Sequence, residues 1–544
     1  MVWMNKNSHS PETAFINGKI CTADAEKPEA RAFLVRNGRF ALVGSNEDVA
    51  GCPNQVDLQG KCVIPGLIDS HCHAFSGVAQ ASANMITLDP ETKPEELGKT
   101  LLALSAGESF ESGPLMAIGI RLTRGTFSAS DIDCEICERP VLVFSDDGHA
   151  LLLNTKAMEV LGIDRNTGDP NENSYFCRDA SGEPTGLVIE IPAMMRCKSL
   201  IVAAESQDVD LKAILGEILH AYAAYGYTTL FEAMSTDDGQ SQLFEALKEM
   251  DEADELPMRL STSFGYHGEE YLSAEKALEC MKELRQRFSS AHVFPETLKL
   301  FTDGTVEEHT ALLFEPYADS PGNFGIQAED PKELQHAAEL AAREGFHIHI
   351  HALGDRAVSI ALDSLCSLGE TTGTKTIAHN QLYREEDVER ISAAGDIFFQ
   401  TTPQWVVSVD YTEKYLGPER YQKQFPFGTI LRRGVVVSFG SDSCLDPVTA
   451  NPFLGMYYAV ARGDERLHTE CFPPLSEGIT RLDALRAYTI NGAKQLGLEA
   501  ETGSISEGKS ADFVILDRDI MTCPLEELKE TQTEETWFCG RRTE

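Results

Sequence analysis

Two histidines one residue apart, His71 and His73, follow the apolar run 63–68, where a strand would end. Side chains alternate along a strand, so both imidazoles would point the same way while Cys72 points to the opposite face. Two neutral imidazoles directed into one space make half of a divalent metal site. A pair of partly buried histidines without a metal has the same spacing, so the motif needs support from elsewhere in the chain.

That support comes from later apolar segments that also end in a polar residue. The further candidate ligands are Lys299, His351, His379 and Asp442. His347 and His349 share a face with His351 by alternation. We select His351 because it lies nearest the end of its strand, and we expect the other two to be core residues or neighbours of the ligands.

Lys299 differs from the other candidates because a protonated ammonium has no lone pair and cannot bind a cation. It becomes a ligand only if carbon dioxide converts the amine to a carbamate, whose two oxygens could bridge two metal ions. Without that modification, Lys299 is an ordinary buried lysine and the site holds one ion. Imidazole and carboxylate ligands favour zinc or a similar divalent ion.

The middle of the chain alternates apolar segments with amphipathic helical patterns, as expected for a parallel α/β sheet. We predict eight strands, at residues 63–68, 227–233, 258–264, 297–302, 346–351, 376–379, 397–401 and 435–440. Eight such strands close naturally into a (β/α)8 TIM barrel, whose chemistry lies at the carboxyl ends of the strands. Barrel closure would therefore bring all six candidate ligands together.

Both ends of the chain have the pattern of short strands and turns. Asn17-Gly18 and Asn37-Gly38 each lie between apolar runs, which predicts two β-hairpins. Residues 503–517 predict a turn followed by a buried strand. We expect one small β domain from residues 1–64 plus 499–544, a barrel over 65–498, and a lid-like insertion at about 75–208 after strand one.

Composition excludes some classes of partner. The chain has 544 residues with 86 acidic and 46 basic side chains, and its net charge of -40 repels nucleic acid and anionic membranes. The polar start does not resemble a signal peptide, no apolar run is long enough to span a bilayer, and the 14 cysteines are scattered. We expect a cytoplasmic protein with reduced thiols, a small-molecule substrate and the common homodimeric state.

In order along the chain, these motifs resemble the amidohydrolase superfamily, and within it the YtcJ-like metal-dependent hydrolases, which include N-substituted formamide deformylase. The resemblance covers nearly the whole chain. It rests on residues 65–73, 147–150 with Asn154, 186–190, 299–304, 351–358, His379, 440–442, 487–492 and 508–513. The chain departs from the usual family pattern after Asp303-Gly304 and at Ala378 and Asn380, in both cases next to candidate ligands.

The resemblance implies a (β/α)8 barrel with a split β-sandwich, zinc or a related ion, and hydrolysis of a non-peptide C–N bond in an amide, formamide or cyclic amide. Carried over by position, His71, His73 and Asp442 would hold one metal ion. His351 and His379 would hold a second, and a carboxylated Lys299 would bridge the two.

The expected mechanism is hydrolysis by a metal-activated water. Asp442 would carry the proton to the leaving nitrogen, and His149 of the insertion would help to stabilise the oxyanion. Two other functions fit the same residues: a mononuclear deaminase of an aminated heterocycle, and a non-catalytic binding protein. Candidates for an apolar pocket wall are Phe75, Trp405, Tyr411 and Phe453.

Overall fold

The computed structural model describes most of the chain. The described residues are 12–83, 85–106, 113–122, 127–146, 148–170, 174–204, 209–235, 241–268, 272–407, 412–444, 448–463 and 475–543. Tyr411 of the predicted pocket wall, Asp147 of the family-like motifs and residues 205–208 of the predicted insertion lie outside them.

The strands within this part of the chain are numbered in order. They are β1 Thr13–Ile16, β2 Lys19–Cys21, β3 Glu29–Ala30, β4 Ala32–Arg36, β5 Arg39–Gly44, β6 Gln55–Asp57, β7 Cys62–Pro65, β8 Leu67–Cys72, β9 Ile86–Thr87, β10 Leu115–Ile120, β11 Val141–Ser145, β12 Ala150–Leu153, β13 Tyr175–Arg178, β14 Pro184–Ile189, β15 Tyr227–Ser235, β16 Arg259–Gly265, β17 Val293–Phe301, β18 His347–Ala352, β19 Lys375–His379, β20 Ile397–Thr401, β21 Val437–Phe439, β22 Phe513–Leu516, β23 Thr533–Phe538 and β24 Arg541–Arg542.

The α-helices are numbered in the same way. They are α1 Ala74–Ser82, α2 Pro94–Leu104, α3 Ser130–Asp133, α4 Thr155–Leu161, α5 Ile191–Met194, α6 Lys198–Ala204, α7 Leu211–Ala224, α8 Ser241–Glu252, α9 Ala274–Phe288, α10 Pro331–Arg343, α11 Asp355–Ser367, α12 Glu385–Ala394, α13 Thr412–Tyr421, α14 Phe427–Arg432, α15 Pro452–Ala461, α16 Arg481–Ala487 and α17 Ile490–Gln495. Short 3-10 turns occupy Met195–Cys197, Pro403–Val407, Leu475–Glu477 and Leu525–Glu530. Within the described residues, none of these helices combines the length and the apolar character needed to cross a bilayer.

Eight strands form one parallel sheet in the order β21-β20-β19-β18-β17-β16-β15-β8. Its two outer strands meet at a seam, where Ser70 Oγ donates to the carbonyl oxygen of Phe439 (2.7 Å) and the Ser441 N–H donates to Asp69 Oδ1 (3.0 Å). These contacts close the sheet into the predicted (β/α)8 barrel. Closure places the carboxyl ends of all eight strands around one mouth.

The first predicted strand was wrong in one respect, because the run 63–68 is split between two sheets. β7 pairs antiparallel with β22, whereas β8 pairs parallel with β15 in the barrel. A Cβ on the intervening Gly66 would lie 2.1 Å from Thr228 Oγ1, so only glycine fits where the chain crosses between the sheets. Barrel strand one therefore begins at Leu67 and includes His71.

The helix α10 shows how sequence places a covering element on the barrel. Asp330 caps it by accepting from the Lys332 N–H, and Pro331 occupies its first turn, where no N–H partner is required. Its buried residues are spaced to form one apolar face, with Leu334, Ala337, Ala338 and Ala341 all turned inward. That face belongs to the large core around the barrel strands.

Strands from both ends of the chain share one sheet, in the order β24-β23-β22-β7-β2-β3, next to a four-stranded sheet β5-β4-β1-β6. Aromatic rings fill the core of this region: Phe15 stacks on Phe33 at 4.9 Å between centroids, and Phe513 stacks on Trp537 at 5.3 Å. The terminal segments of the chain therefore bury one another's apolar side chains.

Only one of the two predicted Asn-Gly hairpins is present. Asn37 and Gly38, with φ of 52° and 74°, join β4 and β5 as an antiparallel pair. Asn17 and Gly18 instead lead from β1 in one sheet to β2 in the other, so the prediction of a hairpin there was wrong. Asn17 does adopt a positive φ of 60°, but the turn joins strands that do not pair.

The segment between β8 and β15 forms a sheet of its own, in the order β13-β14-β12-β11-β10-β9. Apolar side chains cover both of its faces: Val141 and Leu152 belong to one cluster, and Leu142 and Leu151 belong to another. His149 directly precedes β12, and Glu190 directly follows β14, so the Ala150–Ile189 register brings them together at one end of this sheet.

Candidate metal centre

His71, His73 and Asp442 form the closest group of candidate ligands. Asp442 Oδ1 lies 3.0 Å from His73 Nε2 and 3.3 Å from His71 Nε2. One ligand atom from each residue can be chosen so that all lie within 4.8 Å of one another. A single ion placed among these atoms would contact two imidazoles and one carboxylate, which is a donor set typical of zinc.

These three side chains lie in or directly after β8 and β21, the two strands that meet at the seam of the barrel. His71 lies in β8, and His73 precedes α1, with its backbone N–H donating to the Ser443 carbonyl oxygen at 2.8 Å. Asp442 follows β21 at the same rim. His71 and Asp442 lie near opposite ends of the barrel sequence. Closure of the barrel makes them neighbours in space.

The remaining candidates approach the same point from neighbouring strands. Lys299 Nζ lies 3.5 Å from His71 Nε2, and His379 Nδ1 lies 3.7 Å from Asp442 Oδ2. The His379 ring centroid is 4.7 Å from that of His71 and 4.5 Å from that of His351. The structure thus brings together all six residues that the sequence analysis selected.

The three histidines of β18 have different surroundings. His349 Nε2 lies 3.0 Å from His71 Nδ1, so it contacts the far side of that imidazole. His347 Nδ1 accepts the backbone N–H of Thr374 at 2.8 Å, at the opposite end of the strand. His351 Nε2 lies 3.3 Å from the Gly304 carbonyl oxygen, and its ring is the one that faces His379.

Burial sets the protonation of these groups. Desolvation, together with the nearby Lys299, lowers the pKa of His71, His351 and His379 well below the usual histidine value, so their imidazoles are neutral with lone pairs available. Burial also lowers the pKa of Lys299 to about 7, although Asp442 acts in the opposite direction. Burial therefore favours the uncharged form of this amine.

Left-handed backbone conformations cluster at this rim. His379, Asn380 and Asp442 have φ of 72°, 50° and 51°. Asn380 tolerates this conformation well, and its Nδ2 donates to the carbonyl oxygens of Ile377 (2.7 Å) and Gln400 (3.0 Å). Such strain is typical of functional sites, where the surrounding structure holds the side chains in place.

Glu232 is a functional candidate that the sequence analysis missed. It is fully buried in β15, its Oε2 accepts the Phe75 N–H at 2.7 Å, and its Oε1 accepts the Met234 N–H at 3.2 Å. The same Oε1 lies 3.9 Å from His73 Nδ1. Burial raises the pKa of Glu232 to about 7. A single charged residue within an otherwise uncharged strand was the signal that could have identified it.

His149 reaches the site from the insertion. Its Nδ1 lies 2.8 Å from Glu190 Oε2, and its ring centroid is 5.7 Å from that of His351. Glu190 holds a left-handed φ of 65°, and its backbone N–H donates to the His149 carbonyl oxygen at 2.9 Å. The pair borders the mouth on the side of His351.

The predicted apolar wall is corrected at two positions. Phe75 is fully buried and packs on Phe244 at 5.6 Å, and Phe453 is 2% exposed, so both belong to the core behind the strands. Trp405 does border the site, because its ring stacks on His379 at 5.4 Å with an interplanar angle of 15°.

The residues at this rim fit a divalent ion. The donors are imidazoles and a carboxylate, and His379 Nδ1 is buried without a hydrogen-bond partner. Buried polar atoms are normally hydrogen-bonded, so such an atom requires an explanation, and an ion near Asp442 Oδ2 provides one.

Comparisons with known proteins find relatives that match most of the chain. The exoenzymes regulatory protein AepA of Pectobacterium carotovorum subsp. carotovorum is 29% identical over 443 residues, covering 78% of this chain and 93% of that protein. N-substituted formamide deformylase of Arthrobacter pascens is 27% identical over 553 residues, covering 96% of this chain and 97% of that enzyme. The crystal structure of an uncharacterized metal-dependent hydrolase from Pyrococcus horikoshii OT3 superposes with a TM-score of 0.72 at 21% identity, covering 95% and 99% of the two chains.

The model of the amidohydrolase family matches residues 55–543. That stretch includes the whole barrel, the insertion and all of the polar residues gathered at the mouth. The chain belongs to the amidohydrolase family and is a hydrolase that acts on carbon–nitrogen bonds.

Proposed function

We propose that the protein hydrolyses the C–N bond of an acyclic amide or formamide of a small molecule, with a divalent ion such as zinc. The observation that carries this proposal is the convergence of His71, His73 and Asp442 on one point at the barrel mouth. The deformylase from Arthrobacter pascens, which matches nearly the whole chain, supports a formamide as substrate. The net charge of -40 supports a small molecule rather than nucleic acid as partner.

Two ions are proposed, one held by His71, His73 and Asp442 and the other by His351 and His379. Lys299 would bridge them as a carbamate: its amine nitrogen bonds to the carbon of carbon dioxide, and the proton it loses passes to solvent. A pKa of about 7 supports this step because an uncharged amine has the required lone pair. Bound ions supply a Lewis acid for the substrate carbonyl and a water of lowered pKa.

Asp442 is proposed to accept the proton of the attacking water and to deliver it to the leaving nitrogen. Its carboxylate is 16% exposed at the mouth, so it faces the space in which water and substrate meet. His149 is proposed to donate a hydrogen bond from Nε2 to the oxyanion that develops on the substrate carbonyl. Glu190, which lies 2.8 Å from Nδ1, would balance the second proton on that ring.

A mononuclear enzyme is the second candidate, with Lys299 as an unmodified amine. It is favoured by the close grouping of His71, His73 and Asp442, whose ligand atoms need no contribution from the other strands. Such a site would suit deamination of a heterocycle. Metal analysis and native mass separate the two proposals: two ions per chain and the added mass of one carbon dioxide support the binuclear enzyme. A Lys299→Ala variant should then fall from two ions to one.

Substrate class is tested by a panel assayed with metal-loaded enzyme and bicarbonate. The panel contains N-formyl amines, other N-acyl amines, cyclic ureas and aminated heterocycles. The proposal predicts release of formate or carboxylate from an acyclic amide. Preferential release of ammonia from a heterocycle would replace it with the mononuclear deaminase. Absence of turnover across the panel would favour a non-catalytic binding role, which the name of the regulatory relative AepA also raises.

A further inference from the structure

A small cavity opens beside the candidate metal centre, on the side of His351. Phe301 and His149 lie on its wall, and their rings are 5.6 Å and 5.7 Å from the His351 ring. A substrate whose carbonyl lies at the strand ends can therefore extend its amine portion into this cavity. Three of the six polar residues on the wall are acidic, namely Glu190, Asp303 and Glu329.

Glu329 is the less expected of these carboxyls. It is 6% exposed, and its Oε1 accepts the Phe301 N–H at 3.3 Å while its Oε2 has no hydrogen-bond partner. The Ala328 N–H donates to the Thr302 carbonyl oxygen at 3.0 Å, which holds this segment against the end of β17. Burial raises the pKa of Glu329 well above the usual carboxyl value. A group in this state lacks a partner that would stabilise its charge.

Glu190 contributes a second buried carboxyl oxygen that has no hydrogen-bond partner. It is also 6% exposed; Oε2 contacts His149, and Oε1 has no hydrogen-bond partner. That Oε1 lies against Gly304, where a Cβ would come within 2.2 Å of it. Of the three acidic side chains on the cavity wall, Asp303 accepts backbone N–H groups with both oxygens. Glu190 and Glu329 are more than nine-tenths buried, and each has one oxygen without a hydrogen-bond partner.

Positive charge on this wall is limited to the proposed second proton of His149, which Glu190 balances. Among the described residues that line the cavity, none is lysine or arginine. Burial and the nearby Lys299 lower the pKa of the lining residue His267 to about 4, so this imidazole is neutral. A ligand that brings its own positive charge and several N–H donors would give Glu329 a counter-charge and would also donate to the second oxygen of Glu190.

We propose that this cavity binds a protonated nitrogen of the substrate, at the end remote from the bond that is cleaved. Resting on the proposed function, this identifies the substrate as an N-acylated amine that carries a second, basic nitrogen, such as a monoformylated diamine. Glu329 is the specificity-determining residue, with Glu190 as its partner. The acidic surface of the chain, with its net charge of -40, attracts the same class of molecule.

Binding of small probes tests the cavity without any turnover. Butylammonium and 1-butanol have similar size and shape but differ in charge, so calorimetry with each measures the charge preference directly. The wild-type protein should bind butylammonium at least about tenfold more tightly than 1-butanol, equal to about 1.4 kcal/mol. Glu329→Gln should remove most of that preference. The matched control is Glu370→Gln, an exposed carboxylate outside the cavity, which should retain it.

Turnover of a matched pair then separates this inference from the proposed function. The pair is N-(4-aminobutyl)formamide and N-pentylformamide, compared by kcat/KM. A preference of about tenfold or more for the aminated substrate, reduced in Glu329→Gln and retained in Glu370→Gln, supports both proposals.

Each of the other outcomes rejects one of the two proposals and leaves the other in place. Charge-selective binding without hydrolysis of either formamide would leave the cavity assignment intact and reject the proposed function. Hydrolysis of both formamides at equal kcat/KM, with no preference for butylammonium, would reject the cavity assignment alone. A Glu329→Gln protein with the wild-type preference and an unchanged circular dichroism spectrum would also reject it.

Discussion

The backbone N–H of Asp442 donates a hydrogen bond to the carbonyl oxygen of His71 at 2.7 Å. This bond joins the ends of the first and last barrel strands through the two residues that supply candidate ligands. The same closure that completes the fold therefore fixes the distance between the Asp442 carboxylate and the His71 imidazole. Substitutions of the Asp442 side chain should consequently affect chemistry more than folding.

Asp442→Asn tests the proton-transfer role. The amide keeps the size of the side chain and an oxygen for a metal ion, and the backbone bond to His71 remains. Because an amide does not accept the proton of water, we expect kcat to fall by about 10²- to 10⁴-fold. Metal content and the circular dichroism spectrum should stay close to wild type. A kcat close to the wild-type value would exclude Asp442 as the proton carrier.

Glu232→Gln tests whether this buried carboxylate positions His73. The variant loses one of the two oxygens that accept the Phe75 and Met234 N–H groups, so the segment carrying His73 should be held less firmly. We expect metal affinity to fall by about 10- to 100-fold, as is usual for groups that orient ligands. Competition with a chelator measures this affinity. If metal affinity is unchanged while thermal stability falls, Glu232 stabilises the fold but does not position His73.

Gly440→Ala tests the seam itself. A Cβ at this position would lie 2.5 Å from the His71 backbone nitrogen and 2.8 Å from its Cβ, and backbone atoms cannot move aside cheaply. Overpacking of this kind costs about 1–3 kcal/mol, and here it also displaces a ligand. Denaturant unfolding and metal titration should both show a loss. Gly51→Ala is the control, since nothing lies within 4 Å of its Cβ.

His292 lies away from the barrel mouth, and we expect its protonation to make the stability of the fold depend on pH. Burial alone lowers its pKa, but hydrogen bonds with Asp251 and Cys539 raise it to about 9. The folded protein thus holds this proton more tightly than the unfolded chain, so the stabilisation is complete below pH 6.5 and disappears as pH rises through 9. The full shift in the pKa of His292 contributes at most about 3 kcal/mol to the free energy of unfolding.

Asp251→Asn should remove most of this effect. The Asp251 Oδ1–His292 Nδ1 distance is 2.6 Å, so the amide replaces the group that most favours the imidazolium. The difference in unfolding free energy between wild type and variant should be largest near pH 6 and small near pH 9.5. An equal difference at both pH values would mean that His292 does not titrate in this range.

The positions of the proposed ligands could be predicted because the carboxyl ends of all barrel strands lie at the same mouth. A polar residue at the end of an apolar strand must lie at the mouth, so His351, His379 and Asp442 could be grouped without knowing any contact. The orientation of each ring could not be predicted. It depends on contacts such as His349 with His71, which come from packing between strands.

Residues without such a pattern were missed. Glu329 lies in a segment before α10, and only the return of that segment to β17 places its carboxyl on the cavity. The break at Gly66 was also missed, because an apolar run across two sheets looks like one strand. Its cause is the close approach of Thr228, a residue distant in sequence.

The pairing of β7 with β22 has a consequence for biosynthesis. Residues 62–65 are synthesised long before their antiparallel neighbour Phe513–Leu516. Until then β7 has an open edge, and the adjoining strand that carries His71 lacks its anchor. Assembly of the candidate ligands is therefore tied to the synthesis of β22, so that a chain truncated before Phe513 should fail to acquire metal.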